Sequence, residues 1–198
     1  MDVYAGNARL LLILIFFNLL LGQDLITIFS LDGLLFVRQE VLLGFSIGVL
    51  IFLLFLPADM MISALRRRFF PLYKPRREDE VKNLVFASLP KSPRLMFTLL
   101  LITSLKAAIF EEVIFRGHLL NNLLLSTFPV IAVTIQAFLF FIPHLYQGVF
   151  NAVLPLIGSF VFGLIFFLTG SLTVVIIAHF AGDLIGLVTQ AALIRRKG

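Results

Sequence analysis

The chain has 198 residues, a mean hydropathy of +1.07, and 60% hydrophobic against 14% charged side chains. Soluble domains carry roughly 45–50% apolar and about 25% charged residues, so a water-soluble globule is excluded and the solvent must be lipid. The net charge of +5 does not imply a nucleic-acid partner, because its distribution follows a membrane surface. The absence of cysteine removes disulfides and thiolate nucleophiles.

The length bounds a single domain, and the expected fold is all-α: a polytopic membrane bundle of about six spans, each needing roughly 17–25 apolar residues. Residues 1–64 read as two N-terminal spans. Leu10–Leu21 is apolar apart from Asn18 and spans if Val3–Ala8 or Gly22–Phe29 extends it. Only Arg9 precedes it and no A-x-A site follows, so it is expected to be a retained span and not a signal peptide. Val41–Leu56 is the second span, stopped near Pro57 and Asp59.

Residues 65–94 form a basic linker, with Arg66, Arg67, Arg68, Lys74, Arg76, Arg77, Lys82, Lys91 and Arg94 and prolines at 71, 75, 90 and 93. Residues 95–193 then hold the core. Leu95–Ser126 is a long helical stretch, and Pro129–Phe141, Val149–Leu168 and Leu172–Leu193 are three further spans, the first ending near His144. The linker and the tail Arg195-Arg196-Lys197 hold 12 of the 16 basic residues, while the opposite loops around 22–40 and 169–171 hold only Arg38. The positive-inside rule therefore places both termini and the linker in the cytoplasm.

After residue 80 the only acids are Glu111, Glu112 and Asp183, and all three fall inside apolar stretches. The three histidines, 118, 144 and 179, lie within or at the edge of the same stretches. An ionisable group near the bilayer centre costs about 2.5–3.5 kcal/mol on insertion scales, which marks it as a functional candidate. These groups must face one another or a wet cavity. Helical spacing sorts them, because residues four apart share a face. Glu112 pairs with Arg116, Phe140 with His144 and His179 with Asp183, while Glu111 points about 100° away from Glu112. His118 is taken as structural. Gly117, Gly182 and Gly186 allow close helix approach. No serine is expected in a G-x-S-x-G nucleophile setting, and no H-E-x-x-H occurs. A carboxylate with two imidazoles can activate water and stabilise an oxyanion, or it can ligate zinc through three protein groups. Spacing does not choose between them.

Glu111-Glu112-Val-Ile-Phe-Arg116, Phe140–His144 and His179–Asp183 fit E-E-x-x-x-R, F-x-x-x-H and H-x-x-x-[N/D], in that order on successive hydrophobic segments. In this the chain resembles the CPBP family of CAAX-protease and bacteriocin-processing (Abi-type) intramembrane endopeptidases. The resemblance covers roughly Leu95 to Leu193. It implies that Glu111 activates water with His144 assisting, that His179 and residue 183 stabilise the oxyanion, and that Glu112 and Arg116 hold the base in place. It further implies a glutamate-type mechanism that requires no cofactor. The older metalloprotease view of the family would put zinc on Glu111, His144 and His179. One departure is Asp183, where the prenyl-protein proteases have asparagine. An ionised aspartate cannot donate to an oxyanion, so Asp183 is either protonated in its low-dielectric site or, as expected here, orients and charges His179 instead.

The implied substrate is a membrane-anchored protein or peptide, cleaved near or within the bilayer of a prokaryotic inner membrane, with no nucleic-acid partner. A non-catalytic scaffold or bacteriocin-immunity protein on the same fold is the alternative. A proton-coupled transporter would call for paired inverted repeats and broken helices, which the sequence does not display. One geometric demand remains. If the third span began at Leu95, Glu111 would lie about 24 Å along it, whereas His144 ends its helix near the cytoplasmic side. The two meet only if that helix starts later or bends.

Overall fold

The computed structural model describes residues 31–71 and 88–195. The expected first span, the linker between residues 72 and 87 and the end of the basic tail lie outside the described residues. By internal packing the chain divides into two units, residues 1–42 and 43–198, and the architecture below is that of the second.

Among the described residues every regular element is helical. Helix α1 is Leu31–Phe69, α2 is Pro93–Glu112, and a π-helical segment, Val113–Leu120, continues directly into the short α3, Asn121–Ser126. Helix α4 is Pro129–His144, α5 is Val149–Thr169 and α6 is Leu172–Arg195. Local chemistry sets the boundaries. Pro93 and Pro129 occupy first-turn positions behind extended Ser92 and Phe128, where a missing N–H costs nothing. Helix α5 ends at Gly170, whose φ of 64° is the left-handed cap that glycine adopts freely, with its N–H bonded to the Phe166 carbonyl.

Four helices are long and apolar enough to cross a membrane: Arg38–Phe69, Pro129–Gln147, Val149–Thr169 and Leu172–Leu193. The last three reproduce the expected spans closely. Of the other two in the expected six, one lies outside the described residues. The other, Pro93–Ser126, is 34 residues and about 50 Å long but carries Lys106, Glu111, Glu112 and Arg116. The protein is an all-helical integral membrane protein.

Two sequence expectations for α1 need correction. The helix does not stop at Pro57; it runs through that proline to Phe69 and takes in Arg66, Arg67 and Arg68. In a helix already supported by neighbours, losing one N–H bends the rod without ending it. The pentapeptide Gly44-Phe45-Ser46-Ile47-Gly48 also has the G-x-S-x-G spelling of a hydrolase nucleophile. It lies inside the continuous helix, so the strand–turn–helix setting that exposes such a serine is missing.

Those two glycines serve packing. A Cβ on Gly44 would come within 2.7 Å of the Val174 carbonyl oxygen, and one on Gly48 would run into the Ala178 carbonyl oxygen. Helices α1 and α6 thus run side by side in the same direction with backbones nearly touching, as small-residue interfaces permit in lipid. Ile51, Phe162 and Ala178 form a buried cluster beside this contact, and Leu120, Ala132 and Val133 form another between the π segment and α4. A Gly48→Ala variant is expected to lose about 1–3 kcal/mol, because backbone is the obstructing group. Unfolding of the full chain in mixed micelles checks this; a loss no larger than that of Lys106→Ala would contradict it.

Candidate active site

Glu111 and Glu112 end α2 and diverge as helical rotation requires. The Glu112 side chain is fully buried while that of Glu111 is one-third exposed. Glu112 is held by two partners on the same oxygen: Arg116 Nη1–H donates to Oε1 at 3.0 Å and His179 Nδ1–H donates to it at 2.7 Å. Arg116 is buried as completely as Glu112, and its second terminal nitrogen donates to the Ser159 carbonyl at 2.9 Å and to Ser159 Oγ at 3.0 Å. The hydroxyl also accepts from Gln136 Nε2 at 2.8 Å. A buried charge is tolerated only when paired and hydrogen-bonded, and this network does both for Arg116 and Glu112.

The helix changes its winding at this place. From Val113 to Leu120 the backbone follows π geometry, a rare arrangement that occurs mostly as single turns and often at functional sites. The wider turn still leaves Arg116 within reach of Glu112, and it leaves His118 exposed. His118 lies on the outer side with Asn122, whose side chain donates to the His118 carbonyl at 2.7 Å. That agrees with its reading as a structural residue.

With Nδ1 committed to Glu112, His179 turns Nε2 toward Asp183 Oδ2 at 3.4 Å and Glu111 Oε2 at 3.9 Å. The residue that fixes the imidazole through a short bond is therefore Glu112, with Asp183 on the other ring nitrogen. The two histidines are also held by rings. Phe162 stacks on His179 at 5.4 Å and 19°, and Phe140 stacks on His144 at 4.5 Å and 23°. Phe115 meets the Phe140 edge at 4.9 Å, and the Arg116 guanidinium lies 5.2 Å and 5.7 Å from the Phe140 and Phe162 ring centres. His144 Nδ1–H donates to the Phe140 carbonyl at 2.8 Å, which leaves Nε2 as its free nitrogen. The aromatic at the head of F-x-x-x-H thus supports its own histidine and caps the buried arginine.

Glu111, His144, His179 and Asp183 all line one cavity of about 530 Å³ between α1, α2, α4, α5 and α6. Glu111 and His144 do line one cavity: although α2 ends at Glu112, fifteen helical residues, 112–126, follow Glu111, so it lies within the continuous rod. Glu111 is not tied to the cations near it in sequence: Arg116 bonds Glu112, and Lys106 is exposed and does not line the cavity. Gln136, Ser159 and Phe162 were missed in the sequence. Gln136 carries a signal of its own, a polar amide in the middle of an apolar span. Ser159 and Phe162 carry none, since serine and phenylalanine are ordinary in such helices.

Among the described residues, no group of three or more His, Asp and Glu side chains is arranged to hold a metal ion. Glu111, His144 and His179 share a cavity wall, and each imidazole bonds a protein oxygen through Nδ1.

A buried carboxylate–arginine–imidazole core thus stands behind a partly exposed glutamate inside an apolar helix bundle. A family model described as Type II CAAX prenyl endopeptidase Rce1-like matches residues 93–185, a span containing every residue of the three motifs. The match covers just under half of the chain and agrees with its resemblance to the CPBP (CAAX protease) family, a family of proteases. No curated protein and no solved structure matches the chain.

Proposed function

We propose that this protein is a glutamate-type intramembrane endopeptidase that hydrolyses a peptide bond of a membrane-anchored protein or peptide. The observation that supports it best is the gathering of Glu111, His144, His179 and Asp183 on one cavity wall from three separate helices. In this reading the Glu111 carboxylate takes a proton from water and the oxygen attacks the carbonyl carbon. His144 Nε2 holds the water as acceptor. The tetrahedral oxyanion forms beside His179, whose Nε2–H, backed by Glu112 on Nδ1, donates to it. Asp183 keeps that proton on Nε2 until the oxyanion forms. Glu111 then passes its proton to the leaving nitrogen, the C–N bond breaks, and the resulting carboxylic acid gives its remaining proton to the amine, leaving a carboxylate and an ammonium group. Both termini and the basic linker lie in the cytoplasm in this proposal, on the distribution of lysine and arginine.

The test is cleavage of a co-expressed panel of membrane-anchored candidates by wild type and by Glu111→Gln at matched membrane levels. Product from wild type alone establishes the protease. Equal product from both leaves the acids and histidines as the frame of a scaffold. No metal is required in this reaction, so wild-type cleavage in purified micelles is expected to change less than twofold with 1,10-phenanthroline. Loss of activity that added zinc restores would overturn the metal-free part of the proposal.

A further inference from the structure

The same cavity has a second end that the reaction does not use. Gly48 packs on Ala178, next to His179, and α1 and α6 run onward in parallel from that contact. Ile51, Phe52, Phe55 and Leu56 continue the wall along α1, and the lining then reaches Asp59. Asp59 is eleven residues beyond Gly48, about 16 Å along the helix. Gln190 is eleven residues beyond His179 on α6 and lines the same end, with Tyr146, Gln147 and Asn151 from the far side. A passage thus leads from His179, past Asp183, to a polar mouth that carries the Asp59 carboxylate.

That carboxylate is conspicuous for its surroundings. Asp59 is exposed, and no hydrogen bond or ion pair ties it to another described residue. Among the described residues no lysine or arginine lines the cavity, although the chain as a whole carries a net charge of +5. Arg116 stands behind the wall, spent on Glu112 and Ser159. A carboxylate in a low-dielectric helix gains nothing for folding from such a place. It does favour a cation in the passage and oppose an anion.

Resting on the protease reading, we propose that Asp59 is a specificity-determining residue that selects substrates with a lysine or arginine about four to five residues from the scissile bond. The distance follows from about 16 Å of passage and roughly 3.3 Å per residue of extended peptide. A substrate whose free C-terminal carboxylate would fall at the mouth is disfavoured by the same charge.

The test uses the full chain carrying Glu111→Gln, in detergent micelles, so that binding is measured without turnover. The probes are fluorescently labelled Leu/Ala transmembrane peptides followed by a five-residue extension with one Lys, one Gln or one Glu at its fourth or fifth position. The Lys probe is expected to bind about tenfold more tightly than the Glu probe, attraction and repulsion both contributing. Adding Asp59→Asn should level the three, and Asp59→Lys should reverse their order. Equal affinity for the three probes, no measurable affinity for any, or an unchanged preference in Asp59→Asn overturns the assignment. Cleavage of the Lys probe by the chain with Glu111 intact is scored separately. A charge preference without cleavage would count against the protease reading and leave the role of Asp59 standing.

Discussion

Replacing Arg116 with leucine is expected to remove about 3–5 kcal/mol of folding stability, the largest loss from any single side chain described above. Breaking a buried ion pair from one side costs this much because the survivor stays behind as an uncompensated charge. Here the survivor is Glu112, whose side chain is fully buried. Ser159 loses two donated bonds at the same time, and Phe140 and Phe162 lose the guanidinium between them. The double variant Glu112→Gln with Arg116→Leu should recover part of the loss, since no charge is then stranded. Denaturant titration of the full chain in micelles measures both. A single variant no less stable than Lys106→Leu would show that the pair does not support the fold.

Glu111→Gln is expected to do the opposite: slow cleavage by about 10³-fold or more while leaving stability within roughly 0.5 kcal/mol of wild type. General-base catalysis contributes about 10²–10⁴, and an amide has no basic oxygen to take the proton from water. The side chain is one-third exposed and its closest ionic contact, His179 Nε2, is 3.9 Å away, so little folding energy rests on it. Adding His179→Ala should slow the enzyme by much less than the product of the two single effects, because base and oxyanion donor act in one step. A Glu111→Gln variant that unfolds as readily as Arg116→Leu would reassign Glu111 to the structural network.

The contrast between neighbouring glutamates shows how far the sequence carried the reading. Helical rotation alone separated Glu111 from Glu112, and motif order alone gathered residues from α2, α4 and α6. Spans α4, α5 and α6 were legible to within a few residues, because unbroken apolar runs of about 20 residues admit few other readings. What failed was local. Pro57 looked like a helix end because proline is judged by the bond it removes, and nothing nearby revealed the neighbours that hold α1 together. The winding of Val113–Leu120 left no trace in its composition. The His179–Asp183 pair read from spacing is present, but the second carboxylate on His179 was missed. Spacing on one helix pointed to Asp183, and the short bond comes from Glu112 across the bundle, a tertiary contact beyond the reach of periodicity.

The π winding also limits what can be moved from this protein to another. A π turn is in effect an α-helix holding one surplus residue. Deleting a residue between Val113 and Leu120 would let the segment relax into α form without breaking the rod. It would also swing the following helix by about 100° relative to Glu111. The motif E-E-x-x-x-R pasted onto a straight designed helix would regain the Glu112–Arg116 bond, yet aim the rest of the chain elsewhere. The transplantable unit is therefore Pro93–Ser126 with its irregular length intact, and three matching letters are not enough.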